Sequence, residues 1–137
     1  MSPASSPSDP RHLLLDGLRA AFDAVDGRAS VRRRLAEERD FAPCFAFAVG
    51  KAAPAMMAGA FDALGPGIER AFVVTKHGHA RDVLDAGWPV DVVESSHPVP
   101  DESCLAAGGA LVGFVGAIPA AAHVLGLMSG GGSARAP

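Results

Sequence analysis

Phe45-Ala46-Phe47-Ala48-Val49-Gly50-Lys51-Ala52-Ala53-Pro54-Ala55-Met56-Met57-Ala58-Gly59-Ala60-Phe61-Asp62-Ala63-Leu64 is the stretch that decides the fold. Phe45–Val49 is a short apolar run that stops at a glycine, the pattern of a buried strand. From Ala52 to Leu64 the residues are small and apolar over a helical length. A strand, a Gly-Lys corner and a helix in immediate succession form the first half of a crossover unit. Downstream the same rhythm recurs: strands at Ala71–Thr75, Val90–Val93 and Val124–Met128, and a small-residue helix from Glu102 to Ile118 capped by Asp101. Strands alternating with helices predict an α/β fold, a three-layer sandwich with a mainly parallel sheet. Upstream, Asp9-Pro10 reads as an N-cap with proline at the first helical position. Leu14, Leu15, Leu18, Ala21, Phe22 and Val25 follow at helical spacing, with Gly27 as the stop. Ser30 is the expected cap of a second short helix through Glu38.

The bulk properties bound the function. A chain of 137 residues, 49% apolar and 20% charged, suits one globular domain with one core. Its net charge of −3 provides no basic field, so nucleic acid is not an expected partner. Arg32, Arg33 and Arg34 are followed by Glu37, Glu38 and Asp40 and read as a solvated helix face. Residues 1–10 are rich in serine and proline, lack the apolar core of a secretory signal, and are expected to form a disordered lead. Cys44 and Cys104 lack CxxC spacing and are expected as free thiols of a cytoplasmic protein. Leu105–Met128 is long and apolar, but Pro119 and five glycines divide it into helix- and strand-length pieces, so no membrane span is expected.

The polar residues collect after the strands. Gly50-Lys51 follows the first, Thr75-Lys76-His77-Gly78-His79 the second, Ser95-Ser96-His97-Pro98-Val99-Pro100-Asp101 the third, and Ser129-Gly130-Gly131-Gly132-Ser133 the fourth. In an open parallel sheet these loops share one edge, where ligands bind. Consecutive glycines let successive backbone N–H groups turn to one point as an anion nest, with Ser129 and Ser133 adding hydroxyls. Lys51 offers a positive charge to a phosphoryl or carboxylate group. His77, His79 and His97 have no cysteine or carboxylate cluster beside them, so no metal site is expected. Walker A, GxSxG and GxGxxG patterns are all absent.

Val49-Gly50-Lys51-Ala52-Ala53, Val74-Thr75-Lys76-His77-Gly78-His79, His97-Pro98-Val99-Pro100-Asp101 and Ser129-Gly130-Gly131-Gly132-Ser133-Ala134, taken in series, resemble the N-terminal domain of class II glycerate 2-kinases, the MOFRL-type family often labelled hydroxypyruvate reductase. Order and spacing match from about Leu13 to Ala134. The resemblance implies a Rossmann-like domain that works with a second α/β domain. It also implies ATP- and Mg²⁺-dependent phosphorylation of the 2-hydroxyl of the small molecule D-glycerate. By that resemblance Lys51 is the catalytic-site lysine, Ser129–Ser133 the phosphate loop, and His97 and Asp101 part of the HPVPD motif, with Lys76 and His79 in a neighbouring binding loop. The chain departs from the family after Ala134, where Arg135-Ala136-Pro137 replaces a leucine-containing helix. On this reading residues 11–137 are a partial N-terminal domain and the second domain is absent. The isolated chain is then expected to be inactive, with apolar sheet surface around Val124, Leu125 and Leu127 left uncovered. The rival readings are a non-catalytic remnant or binding fragment, and a hydroxypyruvate reductase.

Overall fold

The computed structural model describes residues 9–80, 82–96 and 101–130. Within them, β1 (Cys44–Val49), β2 (Ile68–Lys76), β3 (Val90–Ser95) and β4 (His123–Met128) form one four-stranded sheet in the order β3-β2-β1-β4. Every pairing is parallel, so the sheet expected to be mainly parallel is wholly so across these strands. The two central strands, β1 and β2, come from the most continuous apolar runs because helices cover the sheet on both faces there. Residues that point alternately to the two faces therefore define two cores.

The first core lies under α2 (Gly27–Ala36) and α3 (Ala53–Leu64). There Ala46, Ala48, Ala71, Val73 and Leu127 of the sheet meet Ala53, Met57, Ala60 and Phe61 of α3 and Leu35 of α2. Small side chains on both sides bring α3 close to the strands, and Met57, fully buried, fills the space they leave. Trp88 closes this core by stacking on Phe61, with ring centroids 4.5 Å apart. The second core lies under α4 (Glu102–Gly116), where Ala107, Leu111 and Phe114 cover Val49, Phe72, Val74 and Val93.

The chain ends its first helix earlier than its sequence suggests. α1 spans Pro10–Ala24, with the Asp9 carboxylate accepting from the Arg11 N–H at 3.0 Å as expected of the cap. Gly27 does not terminate α1 but opens α2, whose cap is Asp26 rather than Ser30. The Asp26 carboxylate accepts the Ala29 N–H at 2.7 Å. Gly27 suits that position because a Cβ there would stand 3.0 Å from Met56 Cγ on α3. α4 likewise stops at Gly116, two residues short of the expected Ile118. The expected exposure around β4 is also only partly right. Leu127 is buried and Leu125 half-buried, because both face the α2–α3 layer; Val124, on the opposite face, is exposed. Cys44 and Cys104 are free and buried, and burial pushes the Cys44 thiol above its ordinary pKa. Among the described residues no helix is long and apolar enough to cross a membrane.

α2 is held to α3 by a two-pronged ion pair, Arg28 Nε to Asp62 Oδ2 at 2.6 Å and Arg28 Nη2 to Asp62 Oδ1 at 2.9 Å. The guanidinium holds the Asp62 carboxyl below its usual range. A depressed folded-state pKa means that the pair's stabilisation is fully present above the unfolded value and is lost as pH falls through the folded one. Because Arg28 is about half exposed, solvent screens the pair, and Asp62→Asn should cost no more than about 1 kcal/mol at neutral pH. Melts of the two proteins from pH 7 downward should converge on the acid side. A gap that persisted after the carboxyl had been protonated would rule out charge as its origin.

Candidate functional site at the carboxyl edge of the sheet

β1 is followed by α3 and then by β2 on one side, while β4 lies on its other side. The strand order therefore reverses at β1/β4, and the crevice beyond their carboxyl ends is where open α/β sheets receive ligands. The residues that line it are set by the turn out of β1. Gly50 donates its N–H to the Val74 carbonyl at 3.0 Å. Its own carbonyl accepts the buried Thr75 hydroxyl at 3.0 Å and the Ala53 N–H at 3.2 Å. Gly50 adopts φ +121, a backbone conformation that side-chain-bearing residues rarely reach. Lys51 stands exposed on this fixed corner and forms no ion pair among the described residues.

Ser129 reaches the same corner from β4. Its N–H continues the strand ladder to the Val49 carbonyl at 3.0 Å. Its hydroxyl accepts the Ala52 N–H at 3.2 Å and lies 3.4 Å from the Val49 carbonyl, to which it donates. Ala52 is the N-cap residue of α3 and has no capping side chain; Ser129, 77 residues away, takes the N–H of the N-cap residue itself. Two of the first donors at the amino end of α3 are thereby taken. Ala52 N–H goes to Ser129, Ala53 N–H goes to Gly50, and Pro54 has no N–H to offer. Lys51 and the loop that begins at Gly130 are the groups at this corner that face an anion in the crevice; among the described residues a Cβ at Gly130 would have nothing within 4 Å.

Further along the edge, β2 ends at Lys76, which is half-buried and registers with Ser95 of β3. The loop beyond turns tightly through Gly78 at φ +79, with His79 N–H bonded to the Lys76 carbonyl at 3.1 Å. Glu94 steadies this loop. Its carboxyl is held below the usual range by the backbone N–H of Gly78 first, then by that of Ala80 and by His77. The His77 ring stands 3.6 Å from the same carboxylate. At the β3–α4 corner Asp101 is the N-cap of α4, accepting from the Ser103 N–H at 2.8 Å and from the hydroxyls of Ser103 and Ser96. These donors, the Ser103 hydroxyl foremost, keep the Asp101 carboxyl below its ordinary range. Ser103 in turn receives the Ser96 N–H at 3.0 Å.

Lys51, Lys76, His79, Asp101, Ser129 and Gly130 thus all lie on the carboxyl edge, with Lys51 and Ser129–Gly130 meeting at one corner. His97, Gly131, Gly132 and Ser133 lie outside the described residues. Asp101 has its carboxylate turned to the start of α4 rather than free for a ligand. Sequence reasoning left three participants without a role: Thr75, which braces Gly50; Ser103, which completes the Asp101 network; and Ser95. Ser95 is fully buried beside Lys76, and its hydroxyl has no hydrogen-bond partner in the described structure. β3 is an edge strand whose other residues are exposed or half-exposed, so no local signal marked this serine as buried.

Comparison with known proteins gives this edge a context. Residues 13–137 match the family described as Domain of unknown function (DUF4147). A D-glycerate 2-kinase of Thermotoga maritima is 40% identical over 86 residues, covering 63% of this chain and 20% of the relative. An Agrobacterium vitis protein carrying the hydroxypyruvate reductase name is 38% identical over 121 residues, or 85% of this chain and 26% of that protein. The crystal structure of glycerate kinase from Thermotoga maritima superposes with a TM-score of 0.83 and 31% identity, over 95% of this chain and 30% of that one. The chain thus spans between a fifth and a third of the length of these relatives. With the family model covering it from residue 13 onward, and its fold superposing on one segment of the Thermotoga maritima glycerate kinase structure, the chain belongs to the DUF4147 family.

Proposed function

We propose that this chain provides the phosphate-handling edge of a cytoplasmic, ATP-dependent kinase that transfers a phosphoryl group to the 2-hydroxyl of D-glycerate. The observation that carries the reading is the meeting of the Lys51 corner with the head of the glycine-rich loop at the β1/β4 switch point. Phosphoryl transfer asks a protein for positioning and charge neutralisation more than for covalent chemistry. Lys51 supplies a fixed positive charge, and Gly130, with Gly131, Gly132 and Ser133 after it, supplies backbone and hydroxyl donors to phosphate oxygens. Lys76 and His79, one strand away, are placed for the carboxylate of a small acid, and His97 belongs to the adjoining loop.

ATP would bring the transferable phosphoryl group. Among the described residues no three histidines, cysteines or carboxylates converge on a point that could hold a metal, and Asp101 is already committed to α4. Mg²⁺ is therefore assigned no residue here; it commonly binds through nucleotide phosphates and water with few protein carboxylates. The hydroxypyruvate reductase name of the Agrobacterium relative suggests hydride transfer instead. The turn Val49-Gly50-Lys51-Ala52 lacks the glycine triad that brings a dinucleotide pyrophosphate onto a helix N-terminus, and the Ala52 N–H there is taken by Ser129.

Titrating the chain with ATP while following backbone amides should shift Gly50, Ala52, Ser129 and Gly130. Lys51→Ala should weaken that binding about tenfold, a change of about 1.4 kcal/mol. Shifts confined to the opposite end of the sheet, around Arg70 and Asp91, would sink the reading.

A further inference from the structure

We propose that Ser129 is a positioning residue: its hydroxyl locks the Gly50–Lys51 corner to the head of the glycine-rich loop and does not itself bind phosphate. The inference deepens the phosphate reading above and rests on it for the identity of the ligand.

The hydrogen-bond inventory decides between ligand and lock. A serine hydroxyl has one donor hydrogen and two acceptor lone pairs. In this structure one lone pair takes the Ala52 N–H at 3.2 Å, and the Val49 carbonyl, 3.4 Å away, is the acceptor within reach of the hydrogen. What remains is an acceptor, and a phosphate oxygen is itself an acceptor. Ser129 could bind phosphate only by turning its hydrogen away from Val49, whereas a backbone N–H such as that of Gly130 is a donor to begin with.

Gly50 shows that the lock is built into the fold. A Cβ added at Gly50 would stand 2.0 Å from Ser129 Oγ and 3.1 Å from Ser129 Cβ. The serine side chain thus occupies the space that a side chain at position 50 would need. Two independent features of the corner, the positive φ and the seat for Ser129, require the same glycine. The consequence is mechanical. β1 and β4 are joined by their ladder up to Val49 and Met128, and beyond it Ser129 fastens the loop to the first turn of α3. Lys51, between Gly50 and Ala52, is then held at a set position relative to Gly130, which a charge acting with a backbone nest needs.

The test uses the 137-residue chain and inorganic tripolyphosphate as the probe, with hydrogen exchange at the Ala52 amide as a second readout. Ser129→Ala should speed Ala52 exchange at least tenfold and weaken tripolyphosphate binding about tenfold, although Lys51 and every loop glycine remain. Gly50→Ala should weaken binding similarly with Ser129 still present, because the new methyl evicts the hydroxyl. The double variant should bind no worse than the weaker single variant, since both changes break one coupling. Multiplicative losses in the double variant, or Ala52 exchange unchanged in Ser129→Ala, would overturn the lock. If the wild-type chain ignored tripolyphosphate, the phosphate reading would fall, and Ala52 exchange alone would still decide whether the lock exists.

Discussion

Gly59→Ala is expected to destabilise the protein by about 2–4 kcal/mol, although alanine is the better helix former by about 1 kcal/mol. Gly59 lies inside α3, where α2 crosses it. A Cβ there would stand 2.2 Å from the Arg28 carbonyl oxygen and 3.0 Å from both its carbonyl carbon and Cα. All three obstacles are backbone atoms, which cannot rotate aside as a side-chain tip can. The methyl can be accommodated only by moving α2 away from α3. That movement would open the contact of Leu35 with the first core and lengthen the Arg28–Asp62 pair on the same crossing. Gly109 in α4 is the control, since a Cβ there would meet nothing within 4 Å among the described residues. Gly109→Ala should therefore stabilise by about 0.5–1 kcal/mol. Denaturant melts of the two variants should move in opposite directions, and a Gly59 variant as stable as the Gly109 variant would refute the crossing argument.

The contrast between these two glycines shows what sequence can and cannot reveal here. Both sit in apolar, small-residue helices, and nothing local distinguishes the one that touches a neighbouring backbone. The strands and long helices were legible because their signals are local: an apolar run of strand length, a glycine corner, a capping aspartate. Asp9 and Asp101 cap their helices as read, with their carboxylates on nearby N–H groups. The α1–α2 junction was misread for the same reason that Gly59 is opaque. Asp26 and Ser30 are both good caps, and Gly27 resembles a stop signal. The helix opens at Gly27, where a Cβ would stand 3.0 Å from Met56 Cγ on α3, a contact between distant segments that no local signal shows.

The site divides along the same line. Loops after successive parallel strands must share an edge, so the convergence of Lys51, Lys76, Asp101 and Ser129 followed from the alternation of strands and helices. Their individual duties did not follow. Ser129 resembles a phosphate ligand in a glycine-rich motif, yet its hydroxyl is engaged by Val49 and Ala52 because β4 pairs with β1. Asp101 resembles a ligand in a proline-stiffened loop, yet its oxygens are held by Ser96 and Ser103. In both cases a polar side chain beside the crevice satisfies backbone or neighbouring groups that the corner would otherwise leave unpaired. Lys51 differs from them: it is exposed and without an ion pair among the described residues.

That difference sets the expected result for Lys51→Ala: a loss of about 10²–10³ in kcat, with folding almost unaffected. The measurement requires a complete kinase framework. It can be made by placing this chain in the Thermotoga maritima glycerate kinase in place of the segment it superposes on, a match of 31% identity and TM-score 0.83. A lysine that is exposed and has no ion pair among the described residues should change stability by less than about 0.5 kcal/mol when shortened. Its position on a glycine-fixed corner, braced by Thr75 and Ser129, sets its charge beside the crevice where phosphoryl charge would develop. A charge that strengthens its interaction as the transition state forms lowers kcat when removed, whereas one that only attracts the nucleotide raises KM and leaves kcat alone. Lys51→Arg separates point charge from geometry: it keeps the charge but not the compact ammonium, so it should recover binding better than turnover. ADP release with D-glycerate as acceptor, measured on the parent chimera and on its Lys51→Ala and Lys51→Arg variants, distinguishes these cases. A chimera with Lys51→Ala that turned over within about twofold of its parent would remove Lys51 from the chemistry and leave the glycine-rich loop to account for phosphate handling without it.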